Sequence, residues 1–284
     1  WKNKYNIKKA YWLYPPNTAS INSLVVNFLL KKKIDVKGFQ HGGSYGIFNS
    51  DDIVDKLHAL SDYFFCKNFY SYGNISLTKD VKLYSKYHLC HFEKIGSPNI
   101  KDFIQKKFKK NSIIKKKILF PVNLTSNILD LKYNDTSSDR LELVKEIFLE
   151  IKKKSFEMII KLYPNVSSKF IKESYPVISI LNEFKMFKKC ELSLLESLNK
   201  HNPSLVIIDE MSTPLYEVLA FDCEIFCLEN PLHNLKNDTY NKLEKRVHFK
   251  KDIENFKKKF ELFLEGKLEK KKNNSFLNSE VLNN

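Results

Sequence analysis

Three short segments carry residue types able to do chemistry at the edge of a sheet. The first is Gly38-Phe39-Gln40-His41-Gly42-Gly43-Ser44-Tyr45-Gly46. Its glycines permit positive φ and let a ligand approach the backbone closely. His41 directly follows an apolar, strand-like run, and ligands of open α/β sheets bind beyond the carboxyl ends of strands. An imidazole titrates near neutrality, which suits it to take a proton from a hydroxyl group. The plainer alternative is a glycine-rich turn with an incidental histidine. The second segment runs Ile207-Ile208-Asp209-Glu210-Met211-Ser212-Thr213-Pro214-Leu215-Tyr216-Glu217. Thr213 is suited to an N-cap and Pro214 to the first helical position. The N–H groups of that turn, the helix dipole and two hydroxyls then make a place for phosphate. An ordinary capped helix is the alternative. The third is Ile159-Ile160-Lys161-Leu162-Tyr163-Pro164, where Lys161 at a strand end would neutralise a departing phosphate. A solvated lysine is the plainer account of any single lysine in this chain.

Other chemistries fail on spacing. His88, Cys90 and His91 cluster, but no second pair stands at zinc-site spacing. Cys223 and Cys227 fall on an expected strand, where four residues separate them by about 13 Å. No P-loop or G-x-G-x-x-G string occurs. Gly42-Gly43-Ser44-Tyr45-Gly46 matches the G-x-S-x-G of serine hydrolases, but a nucleophile elbow needs a helix immediately after Ser44. The five cysteines are odd in number and scattered, which reads as reduced thiols rather than a disulfide framework.

The elements that must position these residues follow from hydrophobic periodicity. Short apolar runs alternate with helical ones, the pattern of α/β units with parallel strands. Strands are expected at Ala10–Leu13, Val36–Gln40, Tyr63–Cys66, Ile118–Val122, Glu157–Leu162, Leu205–Ile208 and Glu224–Leu228. Helices are expected from Thr18 or Ser20 to Leu30, at Ser50–Leu60, Ser138–Lys154, Leu192–Asn199, Pro214–Phe221 and Ile253–Leu264. A lysine-rich helix at Lys101–Lys110 is expected to link two lobes. The chain has 284 residues, enough for one large core or two modest ones, and a formal net charge of +15. Of 48 basic side chains only Arg140 and Arg246 are arginine, the residue of bidentate phosphate and guanine contacts. The charge therefore reads as compositional rather than as a nucleic-acid surface. It would still favour an anionic membrane or phosphorylated substrates. No apolar run reaches the roughly 20 residues of a membrane span. The start at Trp1, without Met, suggests a fragment.

In sequence order, QHGGSYG, KLYP and IIDEMSTPLYEVLA resemble motifs of bacterial surface-polysaccharide transferases of the GT-B fold. More distantly they are similar to capsule Kdo transferases and CDP-glycerol glycerophosphotransferases. The resemblance covers about Tyr11 to Pro231. It implies His41 as the base that deprotonates the acceptor, with Gln40, Gly42, Gly43 and Tyr45 shaping the cleft. It implies that Lys161, Tyr163 and Pro164 face the nucleotide, and that Ser212 and Thr213 bind donor phosphate. Asp209 or Glu210 would contact sugar or base, Asp209 being placed with His41 in the catalytic set, and Glu217 would hold a ribose. The family often carries an arginine or histidine near the KLYP turn; Lys161 and Tyr163 stand there instead.

The resulting expectation is a two-lobed α/β chain with Rossmann-like parallel sheets. Residues 1–111 would form the last part of an acceptor-side lobe plus linker, and 112–250 a donor nucleotide-binding lobe. Residues 251–267 would be a C-terminal helix and 268–284 a disordered tail. The expected reaction moves a sugar from a nucleotide-activated donor, CMP- or CDP-linked, to a cell-surface glycan or lipid-linked acceptor. No Asp-x-Asp string is present, so neither metal nor cofactor is expected, and the stereochemistry expected is inverting. The expected location is the cytoplasm, with peripheral contact to an anionic inner membrane and no nucleic-acid partner. A degenerate lobe that binds nucleotide or glycan without catalysis is the competing reading.

Overall fold

The computed structural model describes residues 8–12, 21–40, 42–43, 45–49, 67–73, 91–106, 116–121, 137–161, 187–208, 211–228, 235–250 and 252–284. The chain divides into two compact units. One is Trp1–Gln105 with His233–Tyr240 and Ser275–Asn284; the other is Lys106–Leu232 with Asn241–Asn274.

The first unit is built on a parallel sheet of four described strands, in spatial order β1 (Lys9–Trp12), β2 (Asp35–Phe39), β3 (Asn68–Ser71), β4 (His91–Lys94). Trp12 pairs with Gly38, Phe39 with Tyr70 and Ser71 with Lys94, so the carboxyl ends lie level. Helix α1 (Ile21–Lys31) crosses from β1 to β2 and buries Val26. Helix α2 (Pro98–Gln105) follows β4 and buries Ile100 and Phe103. In β2 and β3 half-buried and buried residues alternate, the period-2 mark of strands with one better-covered face. The strand expected at Tyr63–Cys66 and the helix at Ser50–Leu60 lie outside the described residues. The linker helix expected at Lys101–Lys110 is instead α2, which starts at Pro98. Proline supplies the fixed φ of a first helical turn.

The second unit holds six parallel strands: β5 (Lys117–Pro121), β6 (Glu157–Lys161), β7 (Phe187–Cys190), β8 (Leu205–Ile208), β9 (Glu224–Cys227) and β10 (His248–Phe249). Their spatial order is β10-β9-β8-β5-β6-β7. Counted within the unit this is the doubly wound order 3-2-1-4-5-6, with the direction of winding reversing between β5 and β8. Every residue of β8 and β9 is buried, because a central parallel strand is covered on both faces. Helix α3 (Ser137–Lys153) buries Leu143, Val144, Ile147, Phe148 and Ile151, one stripe at helical spacing. Helix α6 (Ile253–Leu264) buries Phe256, Phe260 and Leu264 at i, i+4 and i+8 and is capped by Asp252, which accepts from the N–H of Glu254 at 3.0 Å. Phe226 of β9 is the centre of this core. It meets Phe256 and Phe260 edge-on at 5.3 and 5.4 Å and stacks on His248 at 4.6 Å.

The residues expected as a disordered tail are ordered, which corrects the sequence reading. Lys271 donates its backbone N–H to the Glu224 carboxylate at 3.4 Å, and its ammonium to the carbonyls of Val247, at 3.0 Å, and Glu244. A π-helix then spans Leu277–Leu282 in the first unit. Phe276 and Val281, like Leu277 and Leu282, stand five residues apart, the spacing that i→i+5 hydrogen bonding places on one face. All four are buried. The lysine- and asparagine-rich composition had concealed this apolar quartet.

Candidate functional site

In the second unit Lys161 is the last residue of β6. It lies level with Pro121 of β5 on one side and Cys190 of β7 on the other. Three branched or apolar residues, Met158, Ile159 and Ile160, carry the strand through the core and bring this lysine to its carboxyl end. Only 7% of Lys161 is exposed. Helix α5 (Thr213–Leu219) leaves the carboxyl end of β8 and buries Leu215, Tyr216, Val218 and Leu219. That face sets the helix rotation. Thr213 and Glu217, four apart, then share the opposite stripe, and both are half-buried.

The fold brings Glu217 within electrostatic reach of Lys161. Burial pushes the Glu217 carboxyl up to about 7, against the opposing pull of Lys161. Burial likewise lowers the Lys161 pKa, with Glu217 and then Cys190 acting in the opposite sense. Burial thus draws both groups toward their neutral forms, while each favours the charged form of the other; Lys161 is the cation of the site. It sits beside the point where strand order reverses, the place at which open α/β sheets take their ligands.

The start of α5 differs in detail from the sequence reading. Ser212, not Thr213, is the N-cap, and its hydroxyl makes no capping hydrogen bond. Pro214 brings no N–H, and the N–H of Leu215 goes to the Ser212 carbonyl at 3.0 Å. The hydroxyls of Ser212 and Thr213 are therefore the groups that this turn offers beyond its first amides. Asp209, Glu210, Tyr163 and Pro164 lie outside the described residues.

In the first unit His41 and Ser44 also lie outside the described residues, while Gln40, Gly42, Gly43, Tyr45 and Gly46 lie within them. Gln40 is 4% exposed and acts as a brace. Its side-chain N–H donates to the Gly42 carbonyl at 2.7 Å, and its carbonyl oxygen accepts from the N–H of Tyr72 at 2.9 Å. Its backbone N–H reaches the Tyr70 carbonyl at 2.9 Å. Gly42 and Gly43 are buried. Tyr45 is fully buried, its ring stacked on Phe69 at 6.2 Å, so it packs the core rather than lining a cleft. Gly46 takes a positive φ of 68°, and its carbonyl accepts from the Lys236 ammonium at 2.9 Å. The sequence reading named Gln40 as a cleft residue and missed its bracing role. Its partner Tyr72 follows β3, where the sequence pattern predicts no strand.

Among the described residues no group of three or more His, Cys, Asp or Glu side chains is placed to hold a metal ion. Cys190, Cys223 and Cys227 are buried thiols. Among the described residues no helix is long and apolar enough to cross a membrane.

Two parallel Rossmann-like sheets, one doubly wound in the order given above, define an α/β fold of the GT-B-like class. No protein-family model and no curated protein matches the chain. The chain is similar in fold to the UDP-GlcNAc 2-epimerase of Methanocaldococcus jannaschii, crystallised in complex with UDP-GlcNAc and UDP. That likeness has a TM-score of 0.60 at 16% identity, covering 96% of this chain and 73% of that chain. A glycosyltransferase from Rickettsia africae ESF-5 aligns with a TM-score of 0.47 at 13% identity, over 99% of this chain and 75% of that chain. At 16% identity the likeness to the epimerase shows the fold alone.

Proposed function

We propose that the chain belongs to a glycosyltransferase that uses a nucleotide-activated sugar, with the donor's nucleotide and phosphate held by the second unit. The observation that carries this reading is Lys161, buried at the carboxyl end of β6 beside the switch point, with Glu217 of α5 within electrostatic reach. The bound UDP-GlcNAc and UDP of the M. jannaschii epimerase support a nucleotide-sugar ligand for a fold of this kind. The motif resemblance to surface-polysaccharide transferases supplies the transfer and the role of His41.

The reaction then runs as a single displacement. The acceptor hydroxyl oxygen attacks the anomeric carbon while the bond from that carbon to the donor phosphate breaks. His41 takes the hydroxyl proton. Lys161, with the Ser212 and Thr213 hydroxyls, meets the negative charge gathering on the leaving phosphate, stabilisation that grows in the transition state. Glu217 accepts from the ribose hydroxyls, and Asp209 or Glu210 contacts sugar or base. One displacement inverts the anomeric centre. Gln40 and Gly42 serve by holding the turn of His41. The acceptor in this reading is a surface glycan or a lipid-linked glycan, presented at the cytoplasmic face of an anionic membrane.

Nucleotide-dependent thermal stabilisation tests the donor side, with UDP, CDP and CMP compared in parallel. Lys161→Met should weaken the stabilising nucleotide by about ten- to a hundredfold, the worth of a charge-assisted contact of 1.5–3 kcal/mol. Donor consumption tests the chemistry: His41→Ala should abolish turnover while nucleotide binding survives. If no nucleotide stabilises the protein, the donor reading fails. If nucleotide binds and His41→Ala turns over as the parent does, His41 is structural. An interconversion of donor sugars with no acceptor consumed would replace transfer by epimerisation.

A further inference from the structure

The first unit contains a run of hydrogen bonds from its C-terminal segment to the glycine turn after β2. The N–H of Ser97, itself 2% exposed, donates to the Val281 carbonyl of the π-helix at 2.7 Å. The Asn283 side chain donates to the Lys94 carbonyl at 3.1 Å, closing a second tie to the same loop. From that loop the N–H of Gly96 donates to the Tyr72 carbonyl at 3.0 Å. The N–H of Tyr72 donates to the Gln40 side chain at 2.9 Å, and Gln40 donates to the Gly42 carbonyl at 2.7 Å. The loops after β2, β3 and β4 are thus tied in order, and the outer anchor comes from the far end of the sequence.

Two glycines make the anchor possible. A Cβ on Gly96, at φ +72°, would fall against the Leu282 carbonyl, and a Cβ on Gly73 would stand 2.5 Å from the Glu280 backbone. The π-helix therefore lies backbone to backbone on the loops after β3 and β4. Phe276, Leu277, Val281 and Leu282, all buried, hold it there.

We infer that Gln40 and the C-terminal π-helix are positioning elements for the turn that carries His41, acting as the near and far ends of one brace. Fixing the carbonyl of Gly42 fixes the backbone on the C-terminal side of His41. The amide of Gln40, bonded to the Tyr70 carbonyl, fixes it on the other side. A base must be held within a fraction of an ångström of its productive position. The inference rests on His41 as the base for its catalytic consequence, but not for its structural one.

The structural consequence is read by amide hydrogen exchange of the segment Gly38–Tyr45 in the full chain. Gly96→Ala is compared with Gly266→Ala, which imposes a side chain at the same φ of +72° but meets nothing within 4 Å. Exchange in Gly38–Tyr45 should rise about tenfold or more in Gly96→Ala and stay at the parent rate in Gly266→Ala, because only the first releases the brace. Gln40→Met, of similar length without the amide, should raise it as much, and serves if Gly96→Ala does not fold. Since the links act in series, the double variant should exchange no faster than the faster single one. With nucleotide affinity unchanged, kcat for donor consumption should fall in step with the exchange. Parent-like exchange in folded Gly96→Ala or Gln40→Met overturns the inference, as does a double variant in which the two effects multiply. A raised exchange rate together with parent-like turnover in His41→Ala leaves the brace standing and removes the proposed base.

Discussion

Glu217 makes the folded protein's stability depend on pH in a direction opposite to that of most carboxylates. Its carboxyl is carried from an ordinary 4.5 to about 7 by burial on α5. Between those values the folded state binds a proton that the unfolded chain has released. Stability from this group is therefore fully present below about pH 4.5, falls as pH rises, and is lost above about 7. A shift of this size is worth at most about 3 kcal/mol, since one pKa unit is 1.36 kcal/mol. Lys161, which loses a neutral neighbour and gains a charged one over the same interval, already enters that value as an opposing influence. The perturbation is Glu217→Gln, which keeps shape and hydrogen-bonding capacity and cannot ionise. Urea unfolding followed by circular dichroism at pH 5, 6, 7 and 8 gives the stability of parent and variant. The parent should lose about 2.5 kcal/mol relative to the variant between pH 5 and 8, most of it between 5 and 7. Two profiles that run parallel across the range would refute the burial of an ionisable Glu217 beside Lys161.

Two further outcomes follow from the same structure. Phe226→Ala removes the ring on which Phe256, Phe260 and His248 converge, and should lower the stability of the second unit by about 3–5 kcal/mol in denaturant titration. Donor turnover should be undiminished in EDTA, because a lysine and the start of α5 are the groups proposed to meet the phosphate charge. Complete loss restored by magnesium would transfer that task to a metal ion.

The elements of the second unit were legible where hydrophobic pattern alone dictates structure. The apolar runs Ile118–Phe120 and Leu205–Ile208 need no context, since a strand buried on both faces must be apolar throughout. The stripes of α3 and α6 repeat at helical spacing and were placed within a few residues. Strand β7, Phe187-Lys188-Lys189-Cys190, was missed because it lies at the sheet edge, where lysine is tolerated and solvent faces Lys188. Strand β10 has only two residues, too short for any periodicity. Helix α4 (Leu194–His201) was expected two residues early, although Ser193 and Glu196 form the reciprocal capping box that marks its start. The C-terminal segment was misread because its average composition is polar, while four buried apolar residues decide its fate.

Residue type and local spacing by themselves determined that this chain is α/β, that Lys161 stands at a strand end, that a helix near Ser212 carries Glu217, and that a glycine-rich segment surrounds His41. Those facts follow from interactions between neighbours in sequence. Only tertiary structure decided that β5 and β8 meet at the switch point, that Lys161 and Glu217 share one poorly hydrated site, and that Gln40 and Tyr45 support the turn from within. It also decided that the end of the chain returns to the loops of the first unit. Parallel strands pair across long crossovers whose partners no local pattern names, and a side chain's charge state depends on what distant residues exclude water from it.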